Sequence, residues 1–141
     1  MTTSQFATKM KLKPGMKALI INAPDGYMEE LSPLPDYVDV SQELIGEYDW
    51  IQIFVNNQAQ LAELAPRVVQ ALKAESILWI SFPKGTSKIQ TDLTRDKGWE
   101  VIQLADLKWI NLISINTTWS AFSLRPYRKN EGRQSNRFVN R

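Results

Sequence analysis

The amino-acid sequence predicts an α/β fold: one domain on a mostly parallel sheet, with helices on both faces and a C-terminal antiparallel hairpin. Three observations predict it. The continuous apolar runs KALIINAP (17–24), YDWIQIFV (48–55) and SILWISFP (76–83) have the character of strands buried on both faces. Between the second and third, Leu61, Leu64, Val68, Val69 and Leu72 recur at helical spacing. Two further runs, INLISI (110–115) and WSAFSLR (119–125), are joined by Asn116-Thr117-Thr118, a connection short enough for a hairpin. Strands alternating with helices imply right-handed crossovers and a parallel sheet, here with an antiparallel strand at one edge. A chain of 141 residues is long enough to bury a full core as a single domain.

Each element has its own signal. The turn Lys13-Pro14-Gly15 precedes the first strand. DGYMEELSPLPDYVDV (25–40), broken by Pro33 and Pro35, allows a short helix near 27–32 and a short strand near 37–40. The second strand is rich in aromatic and β-branched residues. Asn57 with Gln60 forms a capping-box variant that opens the long helix, and Pro66 predicts a kink or a fresh helix start. After the third strand, Thr91 or Asp92 is positioned to cap a further helix. WEVIQLADL (99–107) fits helix or strand and is read as helix, because the two runs that follow already supply a strand pair.

Composition excludes several chemistries. The sequence has no cysteine and no histidine, which removes disulfides, thiol nucleophiles, Cys/His zinc sites and Ser-His relays. No catalytic residue and no metal ligand is therefore assigned. Ser81 and Ser120 lack a nucleophile elbow and are read as structural, and the five tryptophans as core. No apolar run is long enough to span a bilayer, and MTTSQFATKMKLKPG lacks a signal-peptide core, so a cytoplasmic location is expected.

The net charge of +2 is unevenly spread. Residues 126–141 carry five basic residues against Glu131, a net of +4, which leaves −2 for residues 1–125. Nine acids and no base lie between Lys17 and Arg67. An acidic body argues against a nucleic-acid footprint, so any such contact would be weak and confined to the basic tail. The expected division is a domain over 1–126 and a polar, disordered tail over 127–141.

LKPGMKALIINAP, YDWIQIFV, the spaced pattern Leu61…Val68-Val69-Gln70-Ala71-Leu72 leading into SILWIS, and the closing hairpin together resemble the S-adenosylmethionine-dependent methyltransferase scaffold, a Rossmann-like fold. LWISFPK, DLTRDKGW and TWSAFSLRP, taken together, resemble a small bacterial family with no defined function. The likeness runs from about residue 10 to 126. It implies the methyltransferase scaffold without an established activity to carry over.

One departure stands out. Methyltransferases of this fold follow their first strand with a glycine-rich turn, whereas here it reads Asn22-Ala23-Pro24-Asp25-Gly26-Tyr27. Pro24 has no amide donor, and the side chains of Asp25 and Tyr27 are expected to crowd the approach of a cofactor. Asp39, on the short second strand, is the candidate for a ribose-binding acid. The sequence therefore favours a non-catalytic binding or interaction module with no assigned cofactor. The alternative is a divergent methyltransferase or nucleotide-dependent enzyme.

Ligands of open α/β sheets bind beyond the carboxyl ends of the strands. The candidate residues there are Asn22, Asp25 and Asn56, together with Lys84, Gly85 and Ser87. PKGTS offers a cation, hydroxyls and amides for a small anionic ligand, although capping explains the same residues. Arg95, near Asp92 and Asp96, completes the set as a clamp or an ordinary ion pair with Asp92. The sparsely charged hairpin also predicts an open sheet edge and a homodimer formed through it.

Overall fold

The computed structural model describes residues 3–134. The first element is a helix absent from the sequence reading: α1 (Gln5–Lys9), whose N-cap Ser4 accepts from the Ala7 amide and donates to the Leu31 carbonyl. Then follow β1 (Lys17–Ile21), α2 (Tyr27–Leu31), β2 (Asp39–Ser41), β3 (Tyr48–Phe54), α3 (Gln58–Gln70) and β4 (Leu72–Pro83). The chain closes with α4 (Glu100–Gln103), β5 (Leu107–Ser114) and β6 (Trp119–Pro126). Among the described residues, no helix is long and apolar enough to cross a membrane.

Among the described residues, six strands lie in the order β2-β1-β3-β4-β6-β5. β2, β1, β3 and β4 pair in parallel, while β6 pairs antiparallel with both β4 and β5. The α/β class and the hairpin are as expected. The antiparallel strand, however, is not at the edge: β6 lies inside the sheet, and β5 forms the edge running parallel to β4. Burial explains the order. Five of the eight β6 residues are buried, whereas in β5 only Leu107 is and the rest are half or fully exposed.

Two apolar clusters sandwich the sheet. One joins α3 and α4 to the faces bearing Ile51, Ile53, Leu78, Ile80 and Phe122. The other joins α1 and α2 to Ala18, Ile20, Trp50 and Trp79. The buried indoles of Trp50 and Trp79 both donate to the Met10 carbonyl, at 2.8 and 2.9 Å. One carbonyl has two lone pairs, so a single acceptor at the end of α1 satisfies two core donors.

Three expectations need correction. No new helix begins at Pro66, because α3 runs through it continuously. Pro66 and Ala62 are both exposed, so water can serve the carbonyl that loses its helical donor. No helix forms over 84–98. The Ser87 and Thr91 hydroxyls accept from the amides of Ile89 and Leu93 two residues on, local bonds that compete with a helix. Asp92 does not cap a helix of its own; its carboxylate accepts from the Gln58 amide at the start of α3. Finally, 99–107 divides into the single turn of α4 and the beginning of β5.

Residues 127–134, the described part of the expected tail, make specific contacts; 135–141 lie outside the described residues. Glu131 accepts from both terminal nitrogens of Arg125, at 2.9 and 2.8 Å, from Lys108 Nζ at 2.8 Å and from the Arg128 amide. The Gln134 side chain accepts from the Trp109 amide and donates to its carbonyl, both at 2.9 Å. That bidentate contact imitates a neighbouring strand on the edge of β5.

Candidate functional site

From β1 the chain crosses to β2 on one side, then returns to β3 on the other. The α2 crossover lies on one face of the sheet and the connection through α3 begins on the other. At such a reversal the loops diverge and leave a crevice beyond the strand ends. A cleft of about 390 Å3 opens there, within the range of small-molecule sites. Asn22, Ala23 and Pro24 line it after β1, Phe54 and Asn56 at the end of β3, with Gln60 and Trp119 alongside.

Local structure fixes these walls. Asn22 takes a left-handed conformation, φ 63°, which turns the chain sharply off β1; Asn tolerates this better than most residues. The Asn57 side chain caps α3 by accepting from the Gln60 amide, and Gln60 Oε1 accepts from the Asn56 amide at 2.6 Å. The capping pair therefore holds the Asn56 turn in place. Phe54 packs edge-on against Trp119, with ring centroids 5.1 Å apart, and against Tyr27 at 4.8 Å. The result is an aromatic floor with an amide rim.

Tyr27 does not crowd this cleft, contrary to expectation. It is buried, and its hydroxyl donates to Gln52 Oε1 at 2.6 Å beneath the floor. Burial pushes its phenol up, opposed by the Gln52 hydrogen bond and assisted by nearby Glu30, so it stays a neutral donor. Asp39 is also displaced from its expected role. It begins β2 opposite Lys17, the first residue of β1, and so lies at the amino end of the sheet, away from the cleft.

Of the residues singled out from sequence, Asn22 and Asn56 line the cleft, and Asp25 is exposed on the same turn as Asn22. Lys84 is engaged elsewhere: its amide donates to the Thr118 carbonyl and its ammonium to Ser114 Oγ at 2.6 Å. Gly85 and Ser87 belong to a turn rather than a helix start. Arg95 pairs with its neighbour Asp96 at 3.0 Å, not with Asp92. None of these four lines the cleft. Gln60 and Trp119 went unrecognised as lining residues, because capping and core packing accounted for them fully. Among the described residues, no group of three or more Asp, Glu, His or Cys is arranged to hold a metal ion.

No protein-family model matches the chain, and no curated protein matches it in sequence. Solved structures do resemble it. The ribosomal protein L11 methylase of Lactobacillus delbrueckii subsp. bulgaricus aligns with TM-score 0.56 and 12% identity over 89% of this chain and 79% of that one. The N-methyltransferase NodS of Bradyrhizobium japonicum WM9 gives 0.53 and 12%, over 86% and 94%. An O-methyltransferase family 2 protein from Planctomyces limnophilus DSM 3776, solved with apigenin, gives 0.56 and 11% over 81% of this chain. The chain spans only 50% of that structure. The fold is thus a methyltransferase-like Rossmann fold, and at such identities the likeness establishes the fold alone.

Proposed function

We propose that the cleft over β1 and β3 binds S-adenosylmethionine or a related adenosine-bearing ligand, on a divergent methyltransferase scaffold. One observation carries this reading: a cleft of suitable volume lies at the switch point of the sheet, with an aromatic floor and an amide rim. Phe54 and Trp119 would accept the adenine ring, and the side-chain amides of Asn22 and Asn56 offer both donors and acceptors to its edges or to the ribose. Among the described residues, no charged side chain lines the cleft, and Asp25 is exposed on the adjoining turn. That arrangement suits a cationic sulfonium better than the anion suggested by PKGTS. When bound, S-adenosylmethionine would supply an electrophilic methyl group. The amides lining the cleft can orient such a ligand but are too weakly basic to remove a proton from an acceptor.

The turn after β1 favours a second reading, a non-catalytic binding module. It carries one glycine, Gly26, and Pro24 lacks a donor. One set of measurements separates the two. Calorimetry with S-adenosylmethionine and S-adenosylhomocysteine should show binding that is lost in Ala23→Trp, a substitution at an exposed cleft position. Ligand at about a hundred times its dissociation constant should stabilise the protein by ~2.7 kcal/mol. No binding of either compound would overturn the proposal, and binding without labelled methyl transfer to any acceptor tested would favour the module.

A further inference from the structure

A second opening, of about 400 Å3, lies at the other end of the sheet. Lys11, Lys13 and Met16, from the loop after α1, form one wall, and Glu75 and Ile77 from β4 another. Ile110 of β5 and Arg125 of β6 close it, with Arg128 beyond. Ile77 and Met16 pack with the cluster beneath α1 and α2, so the groove opens on that face. Ile110 remains 36% exposed.

The charges around this groove are unequal. Lys11, Lys13 and Arg128 are exposed, and none has an ion-pair partner among the described residues. Arg125 is held by Glu131, and among the described residues Glu75 is the one acid in the lining. Three unpaired cations therefore flank partly exposed isoleucine in a domain whose first 125 residues carry a net −2. A bare anion would gain nothing from the isoleucines, and a neutral hydrocarbon nothing from the cations.

Lys11 adds a second, independent observation. The Lys11 amide donates to the Thr8 carbonyl and the Leu12 amide to the Ala7 carbonyl, closing α1 in a Schellman motif. Lys11 holds the left-handed position of that motif, φ 62°, where glycine is strongly preferred. Lys11 thus places a cationic side chain, where glycine would present only a hydrogen, on the wall of this groove at a cost in backbone strain.

We propose that this groove binds a small amphipathic anion. A carboxylate or sulfonate head would lie among Lys11, Lys13 and Arg128, with a hydrocarbon body over Ile77 and Ile110. The site lies at the opposite end of the sheet from the cleft, so its test is independent of that reading.

Decanoate is a suitable probe, titrated into the full chain and followed by assigned amide shifts and calorimetry. Saturable one-site binding is expected, with shifts concentrated in 11–16, 74–77, 110 and 123–128. Inorganic phosphate and neutral octyl glucoside should each bind at least about tenfold more weakly, because each lacks half of the interaction. Lys13→Glu with Arg128→Glu should weaken decanoate by about tenfold or more. Added salt should weaken it further, as screening predicts. Lys11→Gly is the sharper variant: it should raise the melting temperature by relieving the left-handed position while lowering affinity. Shifts mapping elsewhere, phosphate binding as tightly as decanoate, or affinity unchanged by the double charge reversal would overturn the proposal.

Discussion

The Tyr27 hydroxyl donates to Gln52 Oε1 at 2.6 Å, and Gln52 Nε2 in turn donates to Ser81 Oγ at 3.0 Å. This chain of side chains links α2, β3 and β4 through the interior, and all three residues are buried. A buried polar chain stabilises only while every member is paired. Tyr27→Phe leaves the Gln52 carbonyl without its donor and should cost about 1–3 kcal/mol.

The same pair predicts a pH dependence. Burial raises the Tyr27 phenol above its unfolded value of about 10, so the folded state keeps a proton that the unfolded chain releases. The associated stability is fully present below about pH 10 and declines above it by at most ~1.4 kcal/mol per pH unit. Tyr27→Phe has no such proton. Melting curves of both proteins should therefore converge as the pH is raised beyond about 10, and a constant gap would refute the assignment.

Gly98 has φ 101°, and a β-carbon there would lie 2.9 Å from both Gln58 Cγ and Leu93 Cδ1. Both contacts belong to the region where the 84–98 loop caps α3, and Gly98 itself is buried. Gly98→Ala should destabilise by about 1–3 kcal/mol from backbone strain alone, with crowding added to it. Denaturant unfolding would measure the loss. Gly85→Ala, at an open position with nothing within 4 Å of the new atom, is the matched control and should be close to neutral.

Glu131 carries the described part of the C-terminal segment. Hydrogen bonds from the Arg125 guanidinium first, then from the Arg128 amide and Lys108, hold its carboxyl well below the usual carboxylate range. A depressed carboxylate contributes stability above its unfolded pKa of about 4.3, lost progressively as the pH falls below that. Glu131→Gln should lower the melting temperature at neutral pH, with the gap narrowing below about pH 4. Removal of 128–141 should act in the same direction. An unchanged melting temperature in both variants would show that these contacts do not hold the segment to the domain.

Much of the fold was legible because burial writes itself into composition. KALII, YDWIQIF and ILWISF are predominantly apolar, as strands covered on both faces tend to be, and they emerged within β1, β3 and β4. The short elements were harder. A five-residue α1 has too little periodicity to register, and its Ser4 cap alone resembles any loop serine. The helix expected after Thr91 failed because Asp92 bonds to Gln58, 34 positions away, a partner that local spacing cannot reveal. Of the site, the strand-end turns were legible through Asn22 and Asn56. Lys84 lies outside that cleft, and a loop lysine bonded to Ser114 looks the same in sequence as one facing a ligand.

The edge of β5 supplies the last prediction. Gln134 occupies both backbone groups of Trp109, and the Asn111 amide donates to Ser123 Oγ. Leu112 is 39% exposed on the same strand, with no basic or acidic residue between Lys108 and Arg125 to discourage pairing. Self-association through this edge should therefore be limited by Gln134 and strengthened without it. Light scattering should show a concentration-dependent dimer that Gln134→Ala stabilises and Leu112→Lys dissociates. Leu112 is the better site for the charge than Ile113 or Ile115, since both of those pack against the α1–α2 cluster and a lysine there would threaten the monomer as well. A strict monomer for Gln134→Ala at high concentration would show that β5 is protected by its own twist and bulge, not by the glutamine.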